Sequence, residues 1–379
     1  MKIIMIRSNP VSPYPRLEKA ANSLLKNGHE IHVLGWDRSN KYRKKESVLA
    51  LLDGDVTITR FGIPAEFGGG FKGNTMSLFK FQIRLFLWLF KNRKSYDAIH
   101  AYDFDTGYIA LKCSKLFKKR LIYDIPDYYI DSHGLKGTRI GKFIQKLENK
   151  IINKADATII CTEKRKEQIK GTKPKKLVVI HNSPVNVEIG HKYAKVITKT
   201  FSNKMKIVYV GILANGRFIK EIANLVINRD DCEFHIGGFG KLEHYFNNLA
   251  DKNDNIIYYG KLSYAETLAL EDKCDIVTAI YDPNIPNHYY AAPNKFYEAL
   301  MLGKPLIMVK NTGMDHLVSQ NEIGEVIEYT VESLNEAIDE LIRKRDQWEK
   351  ISTKAKNLYI NEFSWEKMEQ RLINLYNDI

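Results

Sequence analysis

The chain has 379 residues, 44% hydrophobic and 27% charged, a composition that excludes a disordered or fibrous protein and leaves room for two or three domains. No apolar run approaches the ~18 residues of a membrane span, and the opening Lys2–Ile6 is too short for a signal-peptide core and reads as a first strand. The net charge of +13, gathered mostly before residue 180, points to an anionic partner: a phospholipid surface, a pyrophosphate-bearing substrate or nucleic acid.

From the N-terminus onward, apolar strands alternate with helical patterns, the rhythm of parallel sheets in an α/β protein. Strands are expected at Ile3–Ile6, Ile31–Leu34, Val56–Arg60, Ala98–Ala101, Leu121–Tyr123, Ala157–Ile160 and Leu177–Ile180. The proline-rich loop Asn9–Arg16 leads into the first helix. In the segment Met76–Lys91, Phe79, Ile83, Phe86, Leu87 and Phe90 share one helical face, with Lys80, Arg84 and Lys91 on another. Such a helix either lies on a membrane surface or covers the N-terminal sheet with its apolar stripe. Basic clusters run through this half at Lys41–Lys45, Lys91–Lys94, Lys115–Arg120, Lys164–Lys170 and Lys173–Lys176. His100, Asp103 and Asp105 close one strand, and Asp124 and Asp127 another. A carboxylate there either orients and deprotonates an acceptor hydroxyl or caps a helix.

The alternation breaks over Val185–Lys204, which suggests a linker near residue 195 between domains at 1–190 and 204–360. It resumes with strands at Ile207–Val210, Phe234–Ile236, Ile256–Tyr258, Ile276–Thr278, Leu306–Val309 and Val326–Ile327. The loop after the first of these, Gly211 to Lys220, carries Arg217 and Lys220 at its mouth, suited to clamping a diphosphate. Gly237-Gly238-Phe239-Gly240 and Gly260-Lys261-Leu262 follow the next two strands. Cys113, Cys161, Cys232 and Cys274 lie far apart with no metal-ligand spacing, as expected of buried thiols in a reducing cytosol.

The most informative stretch is Ala291–Pro305. Pro293 suits the first helical position, Gly303 the left-handed stop, and Leu306–Val309 a buried strand. Free N–H groups after Pro293, at the positive end of the helix, can hold phosphate. Lys295 sits in that first turn, and Glu298, three residues on, shares its face.

This segment resembles the donor-site motif of family 4 glycosyltransferases, in the subgroup whose helix opens Pro-Asn-Lys, here Pro293-Asn294-Lys295. The resemblance implies that Glu298 binds the ribose hydroxyls. The usual motif is Glu-x7-Glu, and its first Glu falls on Tyr290. Arg217 matches a residue that stabilises the departing diphosphate, while Ile212 stands where another cation often follows Gly211. Gly238 and Gly240 resemble the Gly-x-Gly floor of the donor site, and the backbone at Lys261 and Leu262 would read the base. Tyr123–Asp127 resembles a Tyr-Asp-x-His-Glu segment, with Asp127 in place of the Glu. The loop ending in Arg16 is similar to one that touches acceptor phosphate, although packing is an equal role for it. The Phe363-Ser364-Trp365 helix, 364–379, is similar to one that returns to the N-terminal domain.

What the resemblance implies is an α/β fold of two doubly wound Rossmann-like domains facing across a cleft, known as GT-B. The activity implied is retaining transfer from a nucleotide-diphospho-sugar, UDP favoured over GDP, to a glycan or polyprenyl-linked acceptor in surface polysaccharide synthesis. It needs neither metal nor cofactor. The residues assigned to catalysis are Asp127, Arg217 and Lys295. Gly211, Lys220, Gly238, Gly240, Lys261, Leu262, Pro293, Asn294 and Glu298 join Arg217 and Lys295 in donor binding, and Arg16, His100, Asp103 and Asp127 face the acceptor. The charge pattern then places a cytoplasmic enzyme on the inner, anionic membrane face. Nucleic acid fits poorly, because no binding module is present. A nucleotide-sugar epimerase of the same fold and a non-catalytic partner subunit are the alternative readings.

Overall fold

In the computed structural model, which describes residues 1–11, 13–39, 43–66, 70–185 and 203–379, the chain forms an eight-stranded and a six-stranded sheet. Strands β1 (Lys2–Arg7), β2 (Glu30–Asp37), β3 (Lys45–Leu51), β4 (Gly54–Gly62), β5 (Ala98–Tyr102), β6 (Arg120–Ile125), β7 (Ala157–Ile160) and β8 (Leu177–Val179) pair in the order β3-β4-β2-β1-β5-β6-β7-β8. Strands β9 (Met205–Ile212), β10 (Cys232–Phe239), β11 (Ile256–Tyr258), β12 (Ile276–Ala279), β13 (Leu306–Val309) and β14 (Gly324–Ile327) pair as β11-β10-β9-β12-β13-β14. Ile3–Ile6 of β1 and all of β12 and β13 are buried, as central parallel strands covered on both faces must be. Every strand expected from the sequence is present.

Helices α1 (Pro15–Lys26), α2 (Gly70–Lys91), α3 (Asp103–Phe117), α4 (Tyr129–Ser132) and α5 (Arg139–Lys154) accompany the first sheet. The second has α6 (Ile219–Ile227), α7 (Glu243–Ala250), α8 (Tyr264–Lys273), α9 (Asn294–Leu302), α10 (Asp315–Asn321), α11 (Val331–Arg343) and α12 (Trp348–Leu358), before α13 (Trp365–Asn377). Two compact units result, Met1–His181 with Met368–Ile379, and Asn182–Lys367. Each holds its own apolar core. Ser12, Lys41 and the expected linker near residue 195 lie outside the described residues.

Helix α13 starts as expected, with Ser364 Oγ accepting from Lys367 N at 3.4 Å. Its later residues belong to the first unit. There Tyr376 Oη meets His100 Nδ1 at 2.8 Å, and Arg371 Nη1 donates to Val179 O at 3.0 Å.

Three expectations are corrected. The first sheet is not purely parallel, because β3 runs antiparallel to β4 as an edge strand. No residue of β3 is fully buried, so it lacks the apolar signal that marks the other strands. Pro293 is the cap of α9, with φ −66° and ψ 130°, and the helix proper begins at Asn294. In α2, the residues turned to the core are Phe81, Leu85 and Leu89, all fully buried. Phe79, Ile83, Leu87 and Phe90 are exposed at 58%, 43%, 56% and 46%, and only Phe86 of the expected stripe packs on the core. The helix is apolar on two faces, and periodicity alone does not say which one a sheet takes.

Burial also acts on three histidines. It lowers the His100 pKa and takes His181 down to about 3 and His235 to about 4, so the last two are neutral in the folded chain near pH 7. The unfolded chain takes up these protons near pH 6.5, so their contribution is complete above that pH and shrinks as pH falls towards the folded values. Urea melts at pH 7.5, 6 and 5 should show a loss of about 2 kcal/mol for each of His181 and His235 by pH 5. His181→Asn should flatten part of that slope.

Candidate active site

Doubly wound sheets bind ligands at the carboxyl ends of their strands, where the strand order reverses. In the second unit that point lies between β9 and β12. Three loops close around it backbone to backbone. A Cβ on Gly238, whose φ is 136°, would sit 1.8 Å from the carbonyl oxygen of Gly211, so only glycine fits there. Gly238 N donates to Gly260 O at 2.7 Å, which ties in the third loop. A Cβ on Gly211 would stand 2.8 Å from Lys295 Nζ; its absence makes room for the ammonium group.

Lys295 is buried, with Nζ 4.5 Å from the centre of the Tyr209 ring. Burial opposes its charge, but the oxygens of Tyr209 and Tyr281 and the carboxyls of Glu298 and Glu271 outweigh that and hold its pKa above the ordinary value. The Arg217 guanidinium lies 4.2 Å from the centre of the Tyr281 ring, and its Nη1 is buried with no hydrogen-bond partner among the described residues. Phe218, the next residue, takes a left-handed φ of 58°. Strain of this kind, about 1–3 kcal/mol, persists where the surroundings enforce it. Here it directs the chain from Arg217 into α6.

No side chain caps α9, and Asn294 in its first turn is exposed. Glu298, 4% exposed, interacts with the Tyr264 hydroxyl, which burial first and then Glu298 and Glu271 hold protonated. Glu271 on α8 is fully buried, and neither carboxyl oxygen has a hydrogen-bond partner among the described residues. Burial, then Glu298, raise its pKa well above the carboxylate range, against the pull of Lys295.

The remaining donor-side candidates stand apart from this group. Lys220 Nζ lies over the Tyr245 ring at 5.1 Å and Lys261 Nζ over Phe239 at 5.3 Å. Leu262 packs on Gly237, and Gly240 N donates to Glu243 Oε1 at 2.6 Å at the start of α7. Sequence reading missed Tyr209, Tyr281, Tyr264 and Glu271. Tyr281 was within reach as an aromatic just past a buried strand, and Glu271 as an acid between apolar helix positions.

In the first unit the reversal lies between β1 and β5. At their carboxyl ends Arg7 pairs with Asp103, whose φ is 60°, and Ser8 Oγ donates to Asp105 Oδ2 at 2.9 Å. Tyr102 occupies the cap of α3, so Asp103 and Asp105 serve these contacts instead of capping. Asp127 remains 52% exposed and accepts from Arg165 Nη2 at 2.9 Å.

Arg16 and His100, expected to face an acceptor, are both buried and held by protein contacts. Arg16 is buried; its Nη2 and Nε donate to Asp124 at 2.8 and 3.0 Å, and Nη1 donates to Ile180 O at 2.9 Å. His100 is fully buried, stacked on Tyr102 at 4.6 Å, with Nε2 3.7 Å from Asp124. Burial alone would raise the Asp124 pKa, and Arg16 more than reverses it. Among the described residues, no group of three or more His, Cys, Asp or Glu side chains is placed to hold a metal ion.

The sequence matches two family models: Glycosyltransferase Family 4 over residues 17–184 and Glycosyl transferases group 1 over residues 194–358. The chain is a GT-B glycosyltransferase. Its fold is shared with solved glycosyltransferases along their whole length. Sucrose-phosphate synthase from Thermosynechococcus elongatus superposes with a TM-score of 0.77 at 13% identity, covering 100% of this chain and 98% of that one. Anabaena HepE in complex with UDP gives 0.67 at 13%, covering 100% of both. WaaG, a glycosyltransferase involved in lipopolysaccharide biosynthesis, gives 0.67 at 12%, covering 98% of this chain and 99% of its own. No curated protein matches by sequence.

Breaking the Arg16–Asp124 pair in this glycosyltransferase leaves one buried charge uncompensated. Asp124→Asn or Arg16→Met should each cost about 3–5 kcal/mol in denaturant unfolding, and replacing both by apolar residues should cost less than either cost added to the other. The pair's contribution is present above about pH 4 and lost as pH falls through the depressed folded pKa of Asp124.

Proposed function

We propose that the enzyme transfers a sugar from a nucleotide-diphospho-sugar, a UDP-sugar by preference, to a glycan or lipid-linked acceptor of a surface polysaccharide, with retention and without a metal. The observation that carries this reading is the pair of cations at the carboxyl end of the second sheet. Arg217 has a buried nitrogen without a partner, and Lys295 is held charged inside the protein. UDP is favoured because proteins of the same fold have been solved in complex with UDP and with UDP-2-fluoro glucose. The surface-glycan role follows from the likeness to WaaG, which is involved in lipopolysaccharide biosynthesis.

In this mechanism the bond between the anomeric carbon and the β-phosphate oxygen breaks, and its electron pair leaves on the diphosphate. Arg217, Lys295 and the first N–H groups of α9 stabilise that growing charge. The acceptor oxygen bonds the same face of the sugar, and its proton passes to the departing phosphate oxygen. Asp127 orients the acceptor hydroxyl, and Glu298 holds the ribose hydroxyls. Gly211, Gly238, Gly240, Lys261, Leu262, Pro293 and Asn294 shape the nucleotide pocket, and Lys220 adds positive potential. No helix among the described residues is long and apolar enough to cross a membrane. The outward stripe of α2 would rest on the inner membrane surface.

Arg217→Ala and Lys295→Ala should each lower kcat by roughly 100-fold or more while changing KM far less. An effect confined to KM would assign them to ground-state binding. Glu298→Gln should weaken UDP binding by about tenfold in calorimetry, the worth of one charged hydrogen bond. EDTA should leave the rate unchanged; strict dependence on Mg²⁺ or Mn²⁺ would remove the metal-free mechanism. Phe79→Ser with Leu87→Ser should reduce co-sedimentation with vesicles without altering UDP affinity.

A further inference from the structure

The two cations of the candidate site share a mode of support. Neither Arg217 nor Lys295 forms an ion pair among the described residues. Each lies on the face of a tyrosine instead: the Arg217 guanidinium 4.2 Å from the centre of the Tyr281 ring, and Lys295 Nζ 4.5 Å from that of Tyr209.

Backbone contacts build the first of these pairs. Tyr281 follows the end of β12 and is buried. Asp282, the next residue, donates its N–H to the carbonyl of Gly216 at 3.0 Å, and Gly216 is the residue before Arg217. One hydrogen bond between loops therefore sets ring and guanidinium side by side. The loops approach so closely that a Cβ on Gly216, whose φ is 78°, would lie 3.1 Å from Ile285 Cδ1. The His288 ring meets Tyr281 at 5.1 Å with an interplanar angle of 76°, and its Nδ1 lies 2.9 Å from Asp282 O. The Tyr281 ring is thus fixed from behind as well as by the loop that carries it.

A carboxylate was close at hand for Arg217 and is not used. Asp282 Oδ1 accepts instead from Asn284 N and Nδ2, at 2.9 and 3.0 Å. The difference matters chemically. A carboxylate at ion-pair distance would hold the guanidinium but cancel its charge. The negative face of an aromatic ring also draws a cation, and it carries no net charge of its own. Arg217 is held this way while its buried Nη1 still lacks a hydrogen-bond partner among the described residues. Packing alone would ask only for an apolar group of similar volume in place of the ring.

We propose that Tyr281 is a positioning residue for the leaving group, its ring holding the Arg217 guanidinium towards the diphosphate of a uridine nucleotide with the charge uncancelled. The inference rests on the leaving-group reading of Arg217 given above and adds the side chain through which that reading works.

The test compares UDP with uridine on the full chain, by calorimetry and by saturation-transfer NMR. UDP carries the charge that the leaving group acquires, and uridine lacks it. Tyr281→Leu should weaken UDP binding by roughly tenfold and leave uridine binding unchanged. Tyr281→Phe, which keeps the ring, should restore UDP affinity to within about twofold of the natural chain. A ring-fluorinated phenylalanine at position 281 keeps that shape but withdraws the negative charge from the ring face, and it should lose UDP affinity as the leucine variant does. In an Arg217→Ala background, Tyr281→Leu should weaken UDP binding no further. An equal loss for UDP and uridine, fluorination without effect, or full additivity with Arg217→Ala would overturn the positioning role while leaving the leaving-group reading intact. UDP affinity unchanged in Arg217→Ala itself would overturn both.

Discussion

The candidate site depends on keeping an ammonium group charged inside the protein. Lys295 is buried, and burial alone would favour its neutral form. Two tyrosine oxygens and two glutamates reverse that preference, and the missing side chain of Gly211 leaves the space. Glu271 has a less obvious part in this balance. Buried and without a hydrogen-bond partner among the described residues, it has its pKa raised by burial and then by Glu298, against the pull of Lys295. Arg217, whose buried Nη1 has no hydrogen-bond partner among the described residues, and Lys295 are the two cations of this group.

Much of this was legible because it rests on backbone grammar. Alternating apolar runs marked the strands, and Gly303, with φ 70°, closes α9 as its position after an apolar helix implies. Gly211 and Gly238 were readable as loop glycines, but not the reason for them. That reason is the approach of one loop to another and to the Lys295 side chain, residues far apart in sequence.

Where reading the residues went astray, it lacked the identity of a partner. Arg16, His100 and Asp124 look like polar groups gathered at strand ends, which is how ligand sites begin. Arg16 and Asp124 lie 108 residues apart and pair with each other, and Tyr376 meets Nδ1 of His100. Charge and polarity marked the neighbourhood, and the partners within it came only from the structure. In α2 the periodicity left membrane surface and sheet both open for the stripe, and the structure turns Phe81, Leu85 and Leu89 to the core instead.

The seating of α13 has a consequence for the order in which the protein is made. The first unit ends its main run at His181, yet Met368–Ile379 complete it. Tyr376, which bonds the core residue His100, leaves the ribosome only after the whole second unit, about 10–40 s later at the usual 5–20 residues per second. Through that interval His100 lacks its phenolic partner and the face later covered by α13 stays open. The first unit therefore cannot be completed until the second, continuous in sequence, has been synthesised.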